Sequence, residues 1–265
     1  MIGSGDLRTW LDRFSWSAGR LNADSHTFGW AVARGLVPNA ERLFFRTACG
    51  SSAGSDFTVY DGASSTIPWP TVDGTLTFNS TNANDDGAPA GTGAWTVRFW
   101  WLDVANVEAT EDITLNGVGN VVSVANTIRR VNKMQVQTAS AAGGVNLGTI
   151  DAVHSSSVTL FRRIRPGAGN AGAIVQTVPA GKRDWITDIQ QGWSRRTAGE
   201  FCRLALIART SPTAPWVNKV TVGWQSRSRH LDYPIRLEAG TDYTMRVKAS
   251  TQAVGVVVEG FRETL

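Results

Sequence analysis

The chain predicts an all-β protein: an antiparallel β-sandwich, jelly-roll-like, built as two β units behind a short helical arm. Three observations lead there. Apolar and polar residues alternate with a period of two in segment after segment, as in Phe201–Arg209, where Cys202, Leu204, Leu206 and Ala208 oppose Arg203, Ala205, Ile207 and Arg209. Turn residues separate these segments at short intervals, among them Asn116-Gly117, Gly143-Gly144 and Pro179-Ala180-Gly181-Lys182. Helix-period patterning is almost absent beyond the first forty residues. Many short alternating strands with turns between them describe a sandwich or jelly roll.

Taken in order, residues 1–40 form the arm. Leu7, Trp10, Leu11 and Phe14 fall on one stripe of a short helix, with Asp6 placed to cap it. So short a helix is marginal alone, so Trp10 and Phe14 are expected to dock, on this chain or on a neighbour. Residues 41–165 form the first β unit. Its strands are expected at Phe57–Tyr60, Leu76–Phe78, Trp95–Trp101, Lys133–Thr138, Leu147–Ala152 and Ser157–Arg163, and ERLFFRTA from Glu41 reads as a helical turn or a buried strand. In GAWTVRFWWLD, Trp95, Val97, Phe99 and Trp101 take the inward face and Trp100 the outward one. Asn116-Gly117 between apolar runs predicts a hairpin with a type I′ turn. The run RPGAGNAG (165–172) marks the boundary to a second β unit over 166–265. Val220, Val222 and Trp224, then Met245, Val247 and Ala249, supply its alternating strands.

Composition narrows the chemistry. With 42% hydrophobic and 18% charged residues the chain is globular, and no apolar run approaches the ~20 residues of a membrane span. The start has no apolar stretch like that of a secretory signal, which places the expected site of synthesis in a cytoplasm. Cys49 and Cys202 stand far apart in sequence and are expected to be free and buried. Charge is uneven. Seven Lys+Arg face 13 Asp+Glu before residue 125, and 19 face 9 after it, leaving −6 in front and +10 behind. That asymmetry fits an acidic partner, head-to-tail contact between copies, or a solvated basic face.

No reactive constellation emerges. GAGNAG (167–172) has dinucleotide-loop spacing, but a strand follows it where a phosphate-binding helix is required. The loop Asn82-Ala83-Asn84-Asp85-Asp86-Gly87 resembles half of a calcium loop without the closing glutamate; a looser site through Asp85 and Asp86, or a plain polar loop, are the two readings. His26, His154 and His230 form no zinc pattern. Asp103, Glu108, Glu111 and Asp112 are close enough to suggest a glycosidase pair, or simply solvated loop carboxylates. No cofactor is expected, and no motif for reading nucleic acid is present. Eleven Trp against three Tyr is the unusual feature. An outward Trp100 is covered by a second layer, holds a sugar, or lies in a subunit interface. Arg195, Arg196, Arg227 and Arg229 stand on a solvent face or bind acidic groups bidentately. With Trp10, Phe14 and Trp100 they make the candidate interface.

Gly91-x-Gly93 before a strand ending in Leu102-Asp103, the Leu115-Asn116-Gly117 turn after an acidic residue, Arg-hydrophobic-Asn in IRRVN, Gly148-Thr149-Ile150 and Val178-Pro179-Ala180-Gly181-Lys182 together resemble structural proteins of tailed bacteriophages. The resemblance covers about residues 90–190 and departs at Trp100-Trp101, where a smaller residue is expected. It implies a virion component, without saying head or tail, and its matching residues imply no catalysis. The leading expectation is no enzyme but a capsid decoration or cement protein that bridges neighbouring subunits, as a homotrimer partnered by the major capsid protein. The alternatives are a tail, adaptor or fibre-attachment protein, or a host-glycan-binding module using exposed Trp.

Overall fold

The computed structural model describes residues 37–49, 56–58, 69–140, 144–156, 160–171, 174–193, 202–222, 228–249 and 254–265. Every structural statement below concerns these residues. The expected arm helix, with Trp10 and Phe14, falls outside them.

All strands are antiparallel, no helix occurs, and the strands make four sheets. The first holds β1 (Ala40–Cys49), β16 (Val254–Thr264), β11 (Lys182–Trp193) and β14 (Ser228–Leu237) in the order β1-β16-β11-β14. The second runs β10 (Val175–Thr177), β15 (Asp242–Ala249), β12 (Cys202–Arg209), β13 (Val217–Val222), with β2 (Asp56–Thr58) also on β15. The third is β6 (Val121–Val122), β3 (Leu76–Ser80), β8 (Ile150–His154), β9 (Leu160–Ile164). The fourth is β5 (Glu108–Thr114), β4 (Ala94–Leu102), β7 (Arg130–Ala139).

Two separate cores follow from this arrangement. One takes Ile186, Ile189, Val256 and Val258 from the first sheet and Leu204, Leu206, Tyr243 and Met245 from the second. The other takes Phe78, Ile150 and Ile164 from the third sheet and Val97, Phe99 and Met134 from the fourth. Phe78 and Phe99 are fully buried with ring centroids 5.1 Å apart, each burial contributing about 1.5–3 kcal/mol.

The chain order of the cores differs from the expected split at 165. β1 and β2, grouped by sequence with the first β unit, pair instead with β16 and β15. β1 runs with β16 through ten residue pairs, from Ala40↔Glu263 to Cys49↔Val254. The unit built from residues 69–171 is therefore an insertion between the first strands of the other unit and its remainder. The stretch RPGAGNAG lies between β9 of the inserted core and β10 of the outer one, and through Gly169 and Ala171 it is bonded to β7 of the insertion.

Two local expectations change. Asn116-Gly117 does not close a hairpin: β5 pairs with β4 and β6 with β3, so the chain crosses there from the fourth sheet to the third. Gly117 has φ +54° while Asn116 has negative φ, which excludes a type I′ turn. The reason lies in the loop beside it. Gly117 donates its N–H to the Asp85 carbonyl, accepts from Ser80 N–H, and a Cβ there would lie 2.8 Å from the Ala83 carbonyl oxygen. In β4 the buried residues are Ala94, Val97, Phe99 and Leu102, and Trp95 and Trp101 are only half-buried. Irregularities in the β4–β7 register at Ala94/Thr96, Thr96/Val97 and Trp100/Trp101 shift the alternation by a residue at each end. A similar break occurs between Ile186 and Asp188 in β11, where Gly260 of β16 lies so near that a Cβ would fall 2.0 Å from the Trp185 carbonyl oxygen.

Candidate functional site

Three places carry the unusual chemistry: the outward face of β4, the loop around Asp85, and the joint between the two units.

Trp100 stands on the outer face of the β5-β4-β7 sheet, half-exposed, paired across to Thr110 on β5 and Lys133 on β7. The Lys133 ammonium sits over the indole ring, 4.4 Å from its centroid, a cation–π contact. Partial desolvation of this otherwise exposed lysine draws its pKa below the usual ammonium range, with Glu41 opposing the shift. Two residues along β4, Arg98 makes a bidentate pair with Asp112 of β5 through Nε and Nη2, both at 2.7 Å. That bonding holds the Asp112 carboxyl below the usual range. The face thus presents an aromatic ring with a cation seated on it, beside a closed ion pair.

Asp85 is fully buried and accepts four hydrogen bonds. Oδ1 takes the N–H groups of Ala94 and Leu147, both at 2.9 Å, and Oδ2 takes Ser80 Oγ–H at 2.6 Å and Gly148 N–H at 2.8 Å. Both carboxylate oxygens are saturated by donors, an arrangement that leaves them no lone pair aimed at a cation. Asp86 Oδ1 accepts from Ala88 N–H. The calcium-like loop is a clasp: one carboxylate ties β3, β4 and the segment before β8 together.

The joint lies between β7 of the insertion and β10, β12 and β15 of the outer unit. Asp242, 1% exposed, is its centre. It accepts from Arg130 Nε and Nη2 at 3.2 and 3.3 Å, from Arg209 Nε at 3.0 Å and from Thr177 Oγ1 at 2.6 Å. Burial depresses the Arg209 pKa, and Asp242 counters that effect. Both guanidiniums lie over the Trp69 ring, Arg130 at 4.9 Å and Arg209 at 5.0 Å, and Arg209 also covers Trp216 at 4.6 Å. Asn132 extends the seam, exchanging two hydrogen bonds with the Thr177 backbone at 2.8 and 2.9 Å. Arg162, 1% exposed, donates to the carbonyls of Val131, Asn132 and Val175. A cavity of about 10 Å³ remains between Trp69, Phe161 and Arg162, room for about one water.

A second seam joins the same two units. Asn106 accepts from Ala180 N–H at 2.8 Å, and Glu108 of β5 lies 3.2 Å from Lys182 and 3.7 Å from Arg262. Arg262 forms a bidentate pair with buried Asp184 at 2.6 and 2.9 Å, and Tyr243 donates its hydroxyl to Asp184 at 2.8 Å. Burial, reinforced by the Asp184 charge, pushes the Tyr243 pKa well above the usual phenol range.

The four carboxylates considered as a glycosidase pair are engaged separately. Asp103 accepts from Ala105 and Val107 N–H, Glu108 faces Lys182, Glu111 accepts from Val124 and Ala125 N–H, and Asp112 holds Arg98. Among the described residues no three His, Cys, Asp or Glu gather as a metal site, and no helix is long and apolar enough to cross a membrane.

Of the residues singled out by sequence, Trp10, Phe14, Arg195, Arg196 and Arg227 lie outside the described set. The backbone of Arg229 sits in β14 opposite Ile189, and those of Cys49 and Cys202 in β1 and β12; their side chains lie outside the described set. Trp100 alone is fully placed. The joint was missed. Trp69 between Pro68 and Pro70 and the pairs Arg129-Arg130 and Arg162-Arg163 were visible, but a strand arginine reads as solvent-facing unless its carboxylate partner is known, and Asp242 lies 112 residues from Arg130.

No protein-family model matches the chain, and no curated protein matches it.

Proposed function

We propose that the chain is a structural component of a tailed-phage virion, a capsid decoration or cement protein that bridges neighbouring capsid subunits and works by contact. The observation that carries this reading is the strand order of the outer unit. Counting β1 as its first strand and β10 to β16 as the second to eighth, its two facing sheets run 1-8-3-6 and 2-7-4-5. With β2, which also pairs with β15, set aside, this order is consistent with a jelly roll of two interlocked Greek keys, an architecture recurrent in viral capsid domains and in lectins, and supports the reading. A fold alone does not settle function. The phage-like turns over residues 90–190 incline the reading to the virion, and so does the way the polar groups are used.

A cement protein needs rigidity and surface in place of a reactive cleft. The two units are held by Asp242, Asn132, Arg162 and Glu108, and the joint between them has room for about one water only. Weak contacts repeated on a symmetric lattice add up to firm attachment. The glycan-binding alternative fares less well, because sugar recognition by stacking uses a bare aromatic face and Lys133 sits over Trp100. The same ring-and-cation pair suits a protein surface, where Trp and basic side chains anchor contacts.

The test is co-sedimentation of the purified protein with particles stripped of it, and separately with isolated tails. Saturable binding to shells, weakened by Trp100→Ala, is the expected result. Binding to tails alone, or to neither, overturns the decoration reading.

A further inference from the structure

We infer that the joint between the two units holds a halide ion, chloride under ordinary conditions, in the small cavity beside Trp69. Two guanidiniums line that cavity, those of Arg130 and Arg162, and no carboxylate does. Much of the remaining wall is apolar, from Trp69, Val131, Phe161 and Val175. Its volume of about 10 Å³ admits one body of about the size of water and excludes phosphate, sulfate or a carboxylate group. The surroundings are short of negative charge. Arg130 and Arg209, with side chains 8% and 9% exposed, share Asp242 as their only carboxylate among the described residues. Two buried cations on one buried anion keep a net positive charge out of water, which is costly unless a counter-charge joins it. Burial lowers the Arg209 pKa and the Arg130 charge adds to that, against the pull of Asp242, as two cations held close require.

Hydrogen-bond donors are in surplus as well. A guanidinium has five N–H groups. Arg130 uses four of them, Nε and one Nη2–H on Asp242 and both Nη1–H on the carbonyls of Pro70 and Arg129, and its second Nη2–H remains. Arg209, over the same Trp69 ring, has a buried Nη2 with no hydrogen-bond partner among the described residues. The acceptors at the cavity are already engaged. Arg162 takes the Val131 and Val175 carbonyls, Arg162 and Gln176 Nε2 share that of Asn132, and Asn132 Nδ2 takes that of Thr177. A water seated here accepts from a guanidinium but finds the acceptors for its own two hydrogens taken. A halide only accepts. It uses the donors, supplies the missing charge and asks nothing of the apolar walls.

Scanning calorimetry on the full chain tests this, with chloride replacing gluconate at constant ionic strength. Gluconate is too large for the cavity, and the screening of surface charge stays fixed. The melting temperature is expected to climb with chloride, by about 3 °C once chloride stands tenfold above its Kd, and bromide is expected to act alike. Crystals grown in bromide locate the ion, and the expected anomalous peak lies between Arg130 and Arg162. Val175→Ile fills the cavity without touching a charge and should abolish the chloride response; if that variant does not fold, the bromide map of the wild type decides. A melting temperature indifferent to chloride overturns the inference. So does water in the cavity with bromide bound only elsewhere, or a folded Val175→Ile protein that responds like wild type. The ion stands apart from the virion proposal: a joint without halide leaves that reading intact, and failure to bind shells leaves this one.

Discussion

Replacing Asp242 by Asn isolates the joint. The side chain keeps its shape and loses its charge, leaving Arg130 and Arg209, whose side chains are 8% and 9% exposed, without the carboxylate they share. Removing one partner from a buried ion pair costs about 3–5 kcal/mol, because the remaining charge stays out of water. Stacking on Trp69 and Trp216 and the bonds to the Pro70 and Pro212 carbonyls retain part of the environment, so about 3 kcal/mol is the expected floor. For a chain of this size each kcal/mol moves the melting temperature by about 2–4 °C, so the shift is roughly 6 °C or more. Since Asp242 spans the two units, scanning calorimetry should also show one transition splitting into two. Arg130→Met/Asp242→Asn is expected to lose less than the sum of its parts, as contacting residues do. A loss below about 1 kcal/mol with a single transition would refute the claim that this carboxylate couples the units.

The other predictions follow the same buried groups. Asp85→Ala strands three backbone N–H donors and one hydroxyl, and should cost at least about 3 kcal/mol in urea denaturation; added calcium should leave the wild-type melting temperature unchanged, and a calcium-dependent rise contradicts the clasp. Tyr243→Phe loses the bond to Asp184 and about 1–2 kcal/mol at neutral pH. Because the Tyr243 pKa is raised in the fold, the folded state holds its proton more tightly. That contribution is full below the unfolded phenol pKa of about 10 and fades as pH rises above it. Stability against pH should therefore fall more gently above about pH 10 in the Phe variant than in wild type.

How far the sequence alone leads is visible in particular residues. Strands were legible where alternation is local: β3 shows an unbroken buried–half-buried alternation from Leu76 as expected. β8 starts at Ile150, later than expected, because Leu147 and Gly148 are tied to Asp85 instead. The turn Pro179–Lys182 closes with Lys182 N–H on the Pro179 carbonyl as its residues suggest. The insertion was not legible, because the pairing of Ala40 with Glu263 leaves no local trace. Asn116-Gly117 misled because its turn is set by the Ser80–Asp85 loop, over thirty residues upstream, and not by the strands flanking it. In β4, bulges left Trp95 half-buried and Trp101 half-buried against the edge of the core in place of full burial, and bulges carry no reliable residue signature when neither position needs glycine. Of the candidate interface, Trp100 was found by counting alternate residues. The buried arginines were not, since burial of Arg130 and Arg162 depends on carboxylates and carbonyls that only the fold brings near.

The most direct test of the account is the number of copies of this protein per purified virion, measured by quantitative mass spectrometry against the major capsid protein. A decoration role predicts copies on the order of hundreds, in fixed ratio to the capsid lattice. A dozen or fewer, or none, contradicts it.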